Sequence, residues 1–228
     1  MEAPDSSEYF TARAENHMNS KTQITTKFTT KFTTILKLLF TGLFFAGLIP
    51  VALAASLSLQ GSVKTQGNLP ANLRVGVLLI DRSGRPTGEV GSSPIQGGSF
   101  ALNVPDNAPP ANAMVAASPD ALDWPGLIGK ITLTGSARIA QANLRAYGDA
   151  DNTQSFNSGD TALESFVTKA RGGIVIVYSD AKLRIQGDKG FDVTLEPGWN
   201  LVSVELGKSV QAKRASSVEG LQLEVFGR

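Results

Sequence analysis

The sequence predicts an all-β protein: an antiparallel β-sandwich of about ten short strands with one short helix, preceded by an N-terminal signal peptide. Three observations lead to this prediction. Apolar and polar residues alternate along several stretches after residue 56, as they do in half-buried strands. Clusters of Gly, Pro, Asn and Asp separate these stretches and mark turns. A long uncharged apolar run ends near residue 55.

The N-terminal segment has the composition of an export signal. Residues 38–55 carry no charge, and four lysines precede them: Lys21, Lys27, Lys31 and Lys37. Pro50 breaks a helix there, and Ala52-Leu53-Ala54 offers the small residues that a signal peptidase accepts. We therefore expect residues 1–55 to be removed on export. The alternative is an uncleaved membrane anchor, because about 18 apolar residues just span a bilayer.

The remaining domain, residues 56–228, lacks the residues of several common active sites. The chain has no cysteine, and its single histidine, His17, lies in the leader. The domain therefore cannot form Ser-His-Asp or Cys-His nucleophile systems, Cys/His zinc sites or disulfides. The leader holds five of the 21 basic and four of the 20 acidic residues, so the domain carries 16 of each. A neutral domain has no strong field for nucleic acid or an anionic membrane, so we expect membrane contact only through an uncleaved leader.

The first half of the domain is predicted to form three strands and a proline-rich connection. Residues 81–84 form a turn cluster between strands. Residues 105–128 contain five prolines, which predicts a connection around one short strand at 113–117 and a candidate boundary between two subdomains. The alternating residues expected to face the core are Leu57, Leu59 and Val63, then Leu73, Val75, Val77 and Leu79, then Phe100, Leu102 and Val104.

The second half continues the strand pattern. Residues 174–178 are a continuous run rich in β-branched side chains, typical of a strand that is buried on both faces. The other predicted strands lie at 131–134, 140–147, 183–185, 191–195, 199–204 and 221–225.

One segment is predicted to be helical. Thr161 and Glu164 match a capping box, in which the two side chains satisfy free amides at a helix start. Apolar residues then follow at helical spacing: Leu163, Phe166, Val167 and Ala170. The pattern predicts a helix over 161–170 that ends before Gly172-Gly173.

Two stretches of the domain resemble known secreted proteins. GSVKTQGNLPANLRVGVLLIDRSGRPTGEV, followed by GGSFALNVP, resembles carboxypeptidase-regulatory-like (transthyretin-like) β-sandwich modules. GDADN, with VYSD and GWNLVSVEL further along, resembles uncharacterised secreted proteins of bacterial envelopes. The resemblance implies a β-sandwich with an accessory or structural role.

The polar loop at 148–160 is the best candidate for a metal site. Calcium prefers several hard oxygen ligands from one flexible loop. Against the 12-residue EF-hand template, the loop places oxygen-bearing residues at positions 1, 3, 5 and 12, but position 6 is Gln154, where the template has Gly. Position 12 is also the shorter Asp instead of Glu. The candidate ligands are Asp149, Asp151, Thr153 and Asp160. A solvated polar loop without a metal is the alternative.

Two further functions stay open. Trp124 lies between Asp123 and Pro125 and is a candidate sugar-stacking platform, whereas Trp199 heads an apolar strand and is expected in the core. A pair of carboxylates could serve a glycoside hydrolase without histidine, although the spacing of the acidic residues favours no pair.

The sequence thus favours an exported, non-enzymatic structural or interaction module of the bacterial cell envelope, in the periplasm, on the cell surface or secreted. The expected partner is another envelope or extracellular protein. The first alternative is a calcium-dependent or carbohydrate-binding module, and the second is a carboxylate-based hydrolase.

Overall fold

The computed structural model describes residues 56–227, and their regular structure is almost entirely β, as predicted. Within this part of the chain, no helix is long and apolar enough to cross a membrane. The predicted signal segment lies outside the described residues. The fifteen strands are β1 (Leu57–Gln66), β2 (Leu73–Ile80), β3 (Pro86–Pro94), β4 (Ser99–Val104), β5 (Val115–Ala116), β6 (Thr132–Thr134), β7 (Arg138–Gly148), β8 (Thr161–Ala162), β9 (Glu164–Thr168), β10 (Gly172–Ser179), β11 (Leu183–Gln186), β12 (Asp192–Leu195), β13 (Gly198–Leu206), β14 (Val210–Ala215) and β15 (Ser217–Phe226).

The strands form a sandwich of three sheets. The central sheet has the order β14-β13-β10-β7-β2-β3, with β5 and β8 also paired to β7. An outer sheet, β4-β1-β15-β9, and a small sheet, β12-β11-β6, complete the fold. Strands are more numerous than the ten or so predicted, because β3, β8, β9 and β14 lie outside the predicted strands.

Two apolar clusters lie on opposite faces of the central sheet. Ile176 of β10 packs in the cluster shared with the outer sheet, which includes Leu59 and Leu223. Its neighbours Val175 and Val177 pack in the cluster shared with the small sheet. Because successive residues of a strand point to opposite faces, β10 is covered on both sides, as its β-branched sequence predicts.

The outer sheet joins the two ends of the described chain. Strand β1 pairs in parallel with β15 over eight residue pairs, with a bulge between Leu59 and Gly61. The other strand pairs are antiparallel. A side chain at Gly61 would collide with the backbone of Leu221, so glycine permits the close approach at this bulge.

The predicted helix over 161–170 is wrong. Residues 161–162 and 164–168 are strands β8 and β9, and Gly172 opens β10 instead of following a helix. Strand β9 pairs antiparallel with β15, so its alternate residues Ser165 and Val167 are partly buried while Phe166 is 55% exposed. The capping-box pattern is a local signal. The segment forms a strand instead of a helix, because it pairs with β15, more than fifty residues away, and because its Phe-Val-Thr sequence favours β-structure.

Candidate functional site

The 148–160 loop brings its predicted metal-ligating residues together. One carboxylate oxygen from each of Asp149, Asp151 and Asp160 lies within 4.8 Å of the others. The Thr153 hydroxyl joins them by donating a 2.9 Å hydrogen bond to Asp151 Oδ1. Glu164, by contrast, is an exposed residue of β9 and does not belong to this group. We call the four residues Asp149, Asp151, Thr153 and Asp160 the acidic loop cluster.

Asp149 organises the turn of this loop. Asp149 is 3% exposed, and its carboxylate accepts hydrogen bonds from the amides of Thr153 (3.0 Å) and Gln154 (2.9 Å). Gln154 has a φ of 63°, in the left-handed region that favours glycine. At position 6 the EF-hand template has glycine, whereas the sharp turn of this loop forms with Gln154. The two hydrogen bonds to Asp149 offset the strain of this backbone conformation.

The other two carboxylates are also held by N–H donors. Asp160 accepts from the amides of Ala150 and Asn157, both at 2.9 Å. Asp151 Oδ2 accepts from Asn157 Nδ2 at 3.0 Å. Hydrogen bonds, first from the Thr153 hydroxyl, lower the pKa of Asp151 below its usual value. Because each carboxylate oxygen has two lone pairs, these bonds leave acceptor capacity for a further ligand.

A partly buried network around Glu89 fastens the loop to the central sheet. Glu89 Oε2 of β3 accepts the Tyr147 hydroxyl at 2.7 Å and the Phe156 amide at 2.9 Å. Ser92 Oγ donates to the Gln154 carbonyl at 3.1 Å. Burial, with a contribution from the Glu89 charge, raises the pKa of Tyr147 to about 12, so the phenol stays protonated at neutral pH and remains a donor.

A cleft of about 940 Å³ opens on the central sheet beside Glu89. One wall is the turn that follows β2 and the start of β3, and the other is the proline-rich segment at 110–125. Gln141 and Asn143 of β7 also line it. Its volume lies near the upper end of the roughly 300–1,000 Å³ usual for small-molecule sites.

Side-chain hydrogen bonds fix the proline-rich wall in place. Arg138 of β7 donates to the carbonyls of Ala111 (2.9 Å) and Met114 (2.8 Å). Gln141 Nε2 donates to the Ala121 carbonyl at 2.7 Å, and Gln141 Oε1 accepts the Trp124 indole N–H at 2.8 Å. The sequence predicted a loop here with one short strand. In the structure the segment is fixed to β7 by these hydrogen bonds, and the predicted strand at 113–117 is shortened to the two residues of β5.

Trp124 departs from its predicted environment, whereas Trp199 packs against the cluster shared with the outer sheet. Trp124 is 4% exposed and packs in the cluster under the small sheet, so the prediction of a surface stacking platform is wrong. Trp199 is only partly buried, with its indole N–H donated to the Asn107 carbonyl at 2.9 Å. Sequence reasoning missed the burial of Trp124 because its hydrogen-bond partner, Gln141, lies on another element, strand β7. The prolines that flank Trp124 give no sign of this partner.

The cleft carries carboxylates on both walls. Asp120 and Asp123 project from the proline-rich wall, and Asp81 and Glu89 lie on the other. Asp81 is engaged in its own turn, where hydrogen bonds led by the Ser83 hydroxyl lower its pKa to about 2. Glu89 is engaged by Tyr147 and Phe156. Among the described residues, Asp120 and Asp123 are therefore the cleft carboxylates without a side-chain partner.

The chain matches no family model, no curated protein and no solved structure. The resemblance to carboxypeptidase-regulatory-like modules therefore stays a prediction, and the geometry above is the basis for assigning a function.

Proposed function

We propose that this chain is an exported, non-enzymatic interaction module of the cell envelope that binds its partner without changing it chemically. The cleft is the observation that carries the proposal. Its proline-rich wall is held by the hydrogen bonds of Arg138 and Gln141, so the surface is formed before a ligand arrives. A preformed site lowers the entropy lost on binding.

The position of β1 supports the export part of the proposal. Leu57 is already a core residue at 5% exposure, and Ser56 is exposed beside it. A cut after the Ala52-Leu53-Ala54 motif would therefore leave all of β1 in the domain.

We expect the protein purified from its own cells to begin between Ala55 and Leu57. Edman sequencing or intact mass of the exported fraction measures this directly. Replacing Ala54 by arginine, which the small-residue pocket of a signal peptidase rejects, should leave the leader attached and the protein membrane-bound. A native N-terminus upstream of residue 38 would contradict export by a cleaved signal.

A calcium-dependent module is the second candidate, and the acidic loop cluster favours it. Three carboxylates and a hydroxyl converge from one loop, as hard-oxygen calcium ligands do. Glu89 links this loop to the cleft, because its carboxylate accepts the amide of Phe156 in the loop and also lines the cleft. Calcium that orders the loop would therefore also fix the position of Glu89 in the cleft.

If this loop binds calcium, the ion will raise the melting temperature. At a concentration about 100 times Kd the gain is about 2.7 kcal/mol, or roughly 5–10 °C for a domain of this size. Differential scanning calorimetry with and without a chelator measures the shift. The D149N/D151N variant should lose it, while Asp188→Asn, an exposed acid outside the loop, should keep it. An equal shift in both variants would remove the loop as the site.

A further inference from the structure

We infer that the cleft binds a neutral oligosaccharide; this rests on the proposed function and names the ligand class of its site. The alternative predicted from the sequence was a calcium or carbohydrate site that uses the 148–160 loop together with Trp124. The structure moves it to the surface between the turn after β2 and the proline-rich wall.

The hydrogen-bonding groups of the cleft suit hydroxyls. Asp120 and Asp123 offer acceptors only, Arg82 offers donors only, and Asn143 offers both. None of these four side chains makes a side-chain hydrogen bond to another described residue. A sugar hydroxyl donates and accepts, so a polyhydroxylated ligand can satisfy all three kinds of group at once.

The charges of the cleft lining argue against an anionic ligand. Four carboxylates line it, from Asp81, Glu89, Asp120 and Asp123, together with the guanidinium of Arg82. Further guanidiniums stand at its rim: Arg85 pairs with Asp81, Arg145 donates to the Gly84 carbonyl, and Arg138 donates to the Ala111 carbonyl. Among the lining residues the carboxylates thus outnumber the guanidinium four to one, so the field at the cleft disfavours an anionic ligand.

The apolar part of the lining suits the carbon face of a sugar ring. Val115 and Pro125 lie among the polar groups, and Pro110 lies at the other end of the same wall. The volume of about 940 Å³ exceeds what a single small ring would fill, so we assign a chain of several sugar units.

The test measures binding of neutral oligosaccharides to the purified native protein by isothermal titration calorimetry, with a chelator present. The set comprises gluco-, manno-, xylo-, galacto- and chito-oligosaccharides. We expect at least one to bind and to keep its affinity at ~0.5 M NaCl, where exposed charges are screened within a few ångströms. The D123A/N143A variant should bind at least ~10-fold more weakly, a loss of about 1.4 kcal/mol. The N103A/D106A variant, altered at exposed positions outside the cleft, should bind like the native protein.

The outcomes separate this inference from the proposed function. If none of the neutral sugars binds, or both variants weaken equally, the oligosaccharide is wrong. If a charged peptide binds instead and D123A/N143A abolishes it, the ligand class is wrong but the interaction module stands. If the sugar binds and chromatography shows that it is cleaved, the ligand class stands and the non-enzymatic proposal is wrong.

Discussion

Replacing Gly172 by alanine is expected to destabilise the protein by about 3 kcal/mol, because the new Cβ has no room. Gly172 opens β10 opposite Glu205 of β13, at one end of the β10–β13 ladder. The added atom would overlap the Val204 carbonyl oxygen and lie 2.8 Å from its carbon, both of them backbone atoms. The β10–β13 ladder would have to separate to accept it.

Urea denaturation, followed by circular dichroism, measures this loss. Gly88→Ala is the matched control, since it also adds one methyl group to a strand of the central sheet. Its Cβ would meet only Leu79 Cδ1, at an ordinary 3.9 Å, so we expect a change within about 0.5 kcal/mol. Equal midpoints for the two variants would show that β10 and β13 are less tightly apposed than the structure has them.

Truncation of Trp124 to alanine is expected to cost about 3–5 kcal/mol. The indole packs in the cluster under the small sheet, with its ring centroid 6.4 Å from that of Phe191. Its loss leaves a cavity and also removes the donor to Gln141 Oε1. The lost hydrogen bond adds to the cost of the cavity.

Trp199→Ala is the comparison that makes the measurement informative. This indole is partly exposed, so its truncation should cost less than that of Trp124 in the same thermal or urea titration. Sequence reasoning alone expects the opposite order, because it placed Trp199 in the core and Trp124 at the surface. A larger loss at Trp199 would therefore support the sequence interpretation against the structure.

The strands were predictable wherever their burial follows a simple period. Leu57 and Leu59 of β1 and Phe100 and Leu102 of β4 alternate in the sequence, and each is buried as predicted. The alternation of β2 predicted one buried face only, but Leu78, which falls on the predicted solvent side, is fully buried as well. Periodicity indicates one buried face, but it does not reveal a second layer.

The candidate sites differ in how far sequence could reach them. The acidic loop cluster was predictable because Asp149, Asp151, Thr153 and Asp160 are close in the chain, and a short loop brings close neighbours together. The cleft was not predictable, since its walls at 79–89 and 110–125 come together only through pairing with β7. Single residues such as Asn143 carry no local signal of that assembly.

The parallel pairing of β1 with β15 has a mechanical consequence. The chain enters β1 beside the start of β15 and leaves β15 beside the end of β1, so the two ends lie on the order of 30 Å apart, at opposite ends of a pair of ten-residue strands. A pulling force between them would load the ladder in shear, stretching its hydrogen bonds together instead of opening them one after another. A domain tethered at both ends would resist tension through this one pair of strands.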